Sequence, residues 1–289
     1  MMRAYGLPAP DPDEPLLSPE EAEAFTELGQ LNELWPPEVR QEVTRVYGRA
    51  LTSIAQTEVH LFRSRVEPRL REITDNPLEG LAAIRQALVH LLPLIDPLLV
   101  GFHRRKLEQE LTQAAVWEVE SEAEGLLPGS REVSLLFLDL AGLTAYSNAH
   151  GDAAAIELIE RFADAVDRHR GGHGRFVKRL GDGYMLAYPQ PPEAVAAAMD
   201  IAVTLQASGG IAVHSSLHHG VAVFRDGDYF GRAVNLAARL LGLAQPSELL
   251  ATEDVVTAAS EYPWQHRGPR SLRGFSEPLE ICALHLTAR

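Results

Sequence analysis

Residues 175–188 are written as a β-hairpin. Arg175-Phe176-Val177-Lys178-Arg179-Leu180 and Tyr184-Met185-Leu186-Ala187-Tyr188 read as two short strands, and Gly181-Asp182-Gly183 between them is a turn signal. A strand is predicted upstream at about 132–139, because the apolar run 133–138 is short, β-like and ends at Asp139. Helices are predicted at 152–168 and 192–207, strands within 211–224, and a further helix from about Ala233. That succession of strand, helix, hairpin, helix and strand is α+β in class.

The first part of the chain has a different period. Ser18-Pro19-Glu20-Glu21 carries a cap, a proline at the first helical position and a glutamate three residues after the cap, so a helix should begin there. Pro36-Pro37 breaks it. Residues 38–74 read as a long helix with a kink at Pro68, Asp75-Asn76-Pro77 as a turn, and 78–92 and 98–124 as two more helices. Gly125-Leu126-Leu127-Pro128-Gly129-Ser130 is the expected hinge. The predicted organisation is an all-α domain at 1–125, a linker at 126–130 and an α+β domain at 131–289, with no internal repeat.

The net charge of −14, without a basic cluster to relieve it, argues against nucleic acid as a partner. The single cysteine, Cys282, cannot form an intramolecular disulfide and reads as a small core residue. The longest apolar run, 87–100, is interrupted by His90, Pro93, Asp96 and Pro97, and falls short of the roughly 20 residues of a spanning helix. Residues 1–10 carry no signal-peptide pattern. A cytoplasmic protein without a membrane span is expected.

Two aspartates stand at ends of predicted elements, Asp139 after the first strand and Asp182 in the hairpin turn. Magnesium prefers oxygen ligands and needs only one or two protein carboxylates beside substrate phosphates, so the pair suits a metal–nucleotide complex. Taken alone, Asp182 between two glycines also reads as a turn former, and Asp139 as a helix cap. Asn235 and Arg239 fall at i and i+4 of one helix and project from one face. An arginine there offers a planar fork of donors to phosphate oxygens, and an asparagine offers an amide to a sugar. His218 and His219 read as packed, hydrogen-bonded strand histidines.

Four stretches in order, Phe137-Leu138-Asp139-Leu140-Ala141-Gly142-Leu143-Thr144, Lys178-Arg179-Leu180-Gly181-Asp182-Gly183, Leu217-His218-His219-Gly220, and Asp228-Tyr229-Phe230-Gly231-Arg232-Ala233-Val234-Asn235-Leu236-Ala237-Ala238-Arg239, resemble class III nucleotidyl cyclases of the adenylyl branch. The resemblance covers about 131–286 and implies a ferredoxin-like βαββαβ catalytic domain. It implies that Asp139 and Asp182, with the backbone carbonyl of Leu140, bind two divalent ions, Mg²⁺ or Mn²⁺. It implies that Lys178 and Asp228 read the base. Lysine and aspartate favour adenine there, whereas guanylyl members usually carry glutamate and cysteine. Asn235 matches the residue that orients the ribose, and Arg239 the one that stabilises the pentacovalent phosphorus. Arg273, with Arg270 in reserve, occupies the stretch of a basic triphosphate contact. Thr144 and Gly142 lie where a turn could present amides to phosphate.

The reaction implied is conversion of ATP to 3′,5′-cyclic AMP and pyrophosphate. The resemblance also implies a head-to-tail homodimer whose sites draw on both chains. The helical region resembles the N-terminal regulatory domains of some soluble actinobacterial cyclases, some of them autoinhibitory, which makes a lipid or a proton a candidate regulator and a plain dimerisation scaffold the alternative. Two other readings stay open: a guanylyl cyclase, and a catalytically weak nucleotide-binding regulator.

Overall fold

In the computed structural model, which describes residues 18–30, 36–71, 77–120 and 129–286, the chain divides into two compact units, Met1–Gln109 and Glu110–Arg289. The first unit is helical. It contains α1 (Pro19–Gln30), α2 (Pro37–Leu61), one π-helical turn (Phe62–Val66), α3 (Glu67–Arg71) and most of α4 (Pro77–Glu120). Helix α1 starts where its cap predicts: the Ser18 amide donates to Glu21 Oε2 at 2.7 Å, and the Glu21 amide donates to Ser18 Oγ at 3.1 Å.

Two helix expectations are corrected. Residues 78–92 and 98–124 are not separate helices, because α4 runs unbroken through Pro93 and Pro97 as far as Glu120. Both prolines are exposed, so water can take the carbonyls that their missing N–H groups leave free. The continuous stretch Ala82–Thr112 is long and apolar enough to cross a membrane by length and composition. It nevertheless carries Asp96 and the run Arg104-Arg105-Lys106, which hydrocarbon would penalise. The expected irregularity at Pro68 lies one turn earlier, as the π-helical turn at Phe62–Val66, since a proline disturbs the carbonyl four residues before it. The predicted turn at 75–77 and the hinge at 125–130 fall largely outside the described residues, as do the ends of the helices expected to reach 74 and 124.

The second unit is a mixed eight-stranded sheet with helices on both faces. Its elements are β1 (Ser130–Leu140), α5 (Leu143–His150), α6 (Asp152–His169), β2 (Arg175–Leu180), β3 (Gly183–Tyr188), α7 (Pro191–Ala207), β4 (Val213–Arg225), β5 (Asp228–Phe230), α8 (Arg232–Leu241), β6 (Glu248–Thr252), α9 (Glu253–Ala258), β7 (Gln265–Arg270) and β8 (Leu279–His285). The sheet order is β2-β3-β1-β4-β6-β8-β7, with β5 paired to β4. The strands β2-β3-β1-β4 are antiparallel to one another and linked by α5/α6 and α7, which is the βαββαβ plan. Strand β6 joins β4 in parallel and extends the sheet with β8 and β7.

Strand β1 sits centrally, and its alternation assigns one face to each core. Leu136, Leu138 and Leu140 pack with Leu158 and Phe162 of α6 and Ala198 and Ile201 of α7, whereas Val133, Leu135 and Phe137 pack with Ala233 and Ala237 of α8. Leu135 and Leu136 are fully buried, so each contributes about 1.5–3 kcal/mol of hydrophobic stabilisation. Period-2 spacing then puts Asp139 on the same face of β1 as Phe137 and α8.

Candidate active site

The hairpin turn is tight because Leu180 pairs directly with Gly183, leaving Gly181 and Asp182 as the loop. Gly181 takes φ +66°, which a side chain would resist. Gly183 has a different need. A Cβ there would stand 2.7 Å from the Leu138 carbonyl oxygen and 3.0 Å from Asp139 Oδ1. The missing side chain therefore lets the end of β1 lie flush against the hairpin, bringing the Asp139 carboxylate beside the residue that follows Asp182.

Asp139 is partly buried, and its two oxygens differ. Oδ2 accepts a hydrogen bond from His214 Nε2 at 3.2 Å, while Oδ1 is buried without a hydrogen-bond partner. An orphaned carboxylate oxygen at the end of a buried strand calls for a cation or a donor. Among the described residues, no group of three or more His, Cys, Asp and Glu side chains is arranged to hold a metal. A hard divalent cation does not require one, since it accepts two carboxylates and a carbonyl and completes its shell with phosphate and water. The donor set of Asp139, Asp182 and the Leu140 carbonyl fits that demand.

Lys178 and Asp228 lie 50 residues apart in sequence and meet in space. Lys178 Nζ is 2.5 Å from Asp228 Oδ2, with both side chains part-buried, and Asp228 Oδ1 accepts the Tyr229 amide at 2.8 Å. A register shift in β2 between Phe176 and Lys178 marks a bulge, the usual device for re-aiming a strand side chain. One donor and one acceptor are thus held at a single point.

Helix α8 buries Ala233, Leu236, Ala237 and Leu240, a spacing of three and four, so Asn235 and Arg239 share the exposed side. Arg239 has a seat. Its guanidinium lies against Gly274, where a Cβ would meet Nη1 at 2.7 Å, and its Cζ is 5.8 Å from the centre of the Phe275 ring. Arg232, two turns earlier, stacks on the same ring at 4.9 Å. Arg273 is exposed in the same turn, which closes through a 3.0 Å bond from the Phe275 amide to the Leu272 carbonyl. Arg270 is exposed at the end of β7. Thr144 is exposed in the first turn of α5, whose cap residue Gly142 has φ +83°. Leu140 buries its side chain and ends β1.

The paired histidines of β4 are bonded within the fold. His219 Nδ1 is 2.9 Å from Ser134 Oγ, and His218 Nδ1 is 2.9 Å from Thr252 Oγ1. Burial pushes the His218 pKa down to about 4, against the opposing pull of Asp254, and lowers that of His219 as well. His214, Gly274 and Phe275 carry no sequence signal of a role in the site. His214 could be found only from the β1–β4 register, in which it faces Asp139.

Residues 128–285 match the family described as the Adenylate and Guanylate cyclase catalytic domain. Over 286 residues the chain is 29% identical to an uncharacterised protein of Mycobacterium tuberculosis, covering 97% of this chain and 73% of that one. It is also 29% identical over 262 residues to a pH-sensitive adenylate cyclase of M. tuberculosis, covering 88% of this chain and 63% of the relative. A solved adenylate cyclase of Trypanosoma brucei, in its monomeric state, is 22% identical with a TM-score of 0.49, over 57% of this chain and 93% of that one. The match spans more than half of the chain and contains both aspartates, the Lys178–Asp228 pair and α8: the chain belongs to the family of adenylate and guanylate cyclase catalytic domains.

Proposed function

We propose that this chain is an adenylate cyclase that converts ATP to 3′,5′-cyclic AMP and pyrophosphate. The observation that carries the choice of base is the contact between Lys178 and Asp228. An ammonium donor beside a carboxylate acceptor complements a ring nitrogen and the exocyclic amine of adenine, whereas guanine presents a carbonyl where adenine presents that amine. In the reaction the ribose 3′-oxygen loses its proton and bonds to the α-phosphorus, and the bond from that phosphorus to the pyrophosphate oxygen breaks. Two divalent cations, Mg²⁺ or Mn²⁺, bound by Asp139, Asp182 and the Leu140 carbonyl, would lower the pKa of the 3′-hydroxyl and hold the triphosphate.

The remaining work is positioning and charge. Asn235 orients the ribose. Arg239 meets the charge that grows on the phosphorus oxygens, and removal of such a preorganised donor costs about 10²–10³ in rate. Arg273 and Thr144 contact the triphosphate. Each site draws Asp139 and Asp182 from one chain and Lys178, Asp228, Asn235 and Arg239 from another, in a head-to-tail homodimer with two equivalent sites.

The helical unit regulates this domain, in a protein that stays in the cytoplasm. A cavity of about 370 Å³ within the unit, lined by Val59, Phe62, Ile84, Leu91 and Ile95 with Glu58, Arg63 and Glu67, supports an amphipathic regulator such as a lipid. Protons are the other candidate.

The shared site is tested by mixing Asp139→Ala chains with Arg239→Ala chains. Each is expected to be inactive alone, while a verified heterodimer regains one working site. Heterodimers as inactive as their parents would overturn the shared-site reading.

A further inference from the structure

The two oxygens of Asp139 are unequally served, and the inequality has a cause on the neighbouring strand. Strands β1 and β4 pair antiparallel over eleven positions, from Ser130 opposite Val223 to Leu140 opposite Val213. Near the end of that ladder Asp139 faces His214, so the two side chains leave the same face of the sheet side by side. Nε2 of His214 lies 3.2 Å from Oδ2, with 23% of the histidine side chain and 30% of the aspartate side chain exposed. An ionised carboxylate can only accept, so this ring nitrogen donates. The other oxygen, Oδ1, is the one packed against Gly183 and left without a partner.

We propose that His214 is the positioning residue for Asp139: it occupies one carboxylate oxygen and fixes the plane of the group, so that the other oxygen is presented to the divalent cation. The proposal rests on the reading of Asp139 as a metal ligand. The terminal torsion of an aspartate is broad and roughly two-fold, so an unanchored carboxylate would sample many orientations. Gly183 bars movement on one side and His214 restrains it on the other. Donors in this outer position orient ligating carboxylates, and their loss typically costs about 10–100-fold in metal affinity. Position 214 lies outside the four stretches that carry the family resemblance, and it acts here through pairing across the sheet.

The test uses the full chain and reads Mn²⁺ binding in the presence of 3′-deoxy-ATP, which lacks the attacking hydroxyl, with free Mn²⁺ measured by electron paramagnetic resonance. His214→Gln places an amide nitrogen near the position of Nε2, whereas His214→Asn is of like polarity but too short to reach. His214→Asn and His214→Ala are expected to raise the Mn²⁺ dissociation constant by about 10–100-fold, and His214→Gln to restore most of the affinity. Thermal unfolding of the Asn and Gln variants should agree, which separates an orienting role from a loss of folding. Wild-type Mn²⁺ affinity in His214→Asn, or a Gln variant as weak as the Asn variant, overturns the proposal. Asp139→Ala is measured alongside. Retention of wild-type affinity there would show that the metal reading itself had failed, taking this proposal with it.

Discussion

Replacing Gly183 by alanine would put a methyl carbon 2.7 Å from the Leu138 carbonyl oxygen and 3.0 Å from Asp139 Oδ1. The first contact is to backbone in a central strand that is paired on both sides, so it cannot be relieved by rotating a flexible side chain. Ordinary carbon–oxygen contact begins near 3.3 Å, and β1 or the hairpin must therefore move by several tenths of an ångström. Overpacking of this kind costs about 1–3 kcal/mol, which for a unit of this size lowers Tm by roughly 2–12 °C. The displacement falls on the carboxylate that the proposed reaction uses, and misplacement on the ångström scale can cost about 10² in rate. Activity should therefore drop further than the loss of folded protein explains. Gly172→Ala is the control, because a Cβ there meets nothing within 4 Å. Thermal unfolding with cyclic nucleotide release measured at 15 °C separates the two effects. A Gly183→Ala protein with the Tm and turnover of Gly172→Ala would refute the argument that this glycine sets the approach of hairpin to strand.

Lys178→Ala removes one of the two proposed base contacts, and the ATP-to-GTP preference in kcat/KM should fall by about 10-fold or more, the worth of one charged hydrogen bond; an unchanged preference would remove Lys178 from base reading. Buried His218 makes stability depend on pH. The folded pKa of His218 is lowered to about 4 by burial, below its unfolded value of 6.5, so the unfolded chain binds the extra proton between those values. This contribution is complete above about pH 6.5 and is lost as pH falls towards 4, amounting to roughly 3 kcal/mol. His218→Gln should flatten the fall in Tm over that window, and an equally steep fall in the variant would count against it.

What was legible in the sequence was local. The hairpin could be read from Gly181-Asp182-Gly183 and its flanking strands, and the face of α8 from the spacing of Ala233, Leu236, Ala237 and Leu240 against Asn235 and Arg239. The run 133–138 predicts β1 because a strand that passes through the middle of a sheet is apolar on both faces. What escaped depends on residues far apart in the chain. His214 meets Asp139 only because β1 and β4 adopt one particular register, 75 residues apart in sequence, and no motif marks it. The seat of Arg239 on Gly274 and Phe275 likewise joins α8 to the loop after β7. In α4 a local signal is overridden by its surroundings. Two prolines are strong local stop signals, yet the helix continues because its exposed side can be hydrated.

Turnover of a single substrate tests the proposed activity most directly. Purified protein, with and without residues 1–109, is offered ATP and GTP in turn with Mg²⁺ and with Mn²⁺, and cyclic nucleotide and pyrophosphate are quantified. Cyclic AMP and pyrophosphate are expected in equal amounts, dependent on the divalent ion and abolished by Asp182→Ala. Protein that leaves ATP intact with both ions and in both forms, or that cyclises GTP in preference, would contradict the proposed activity.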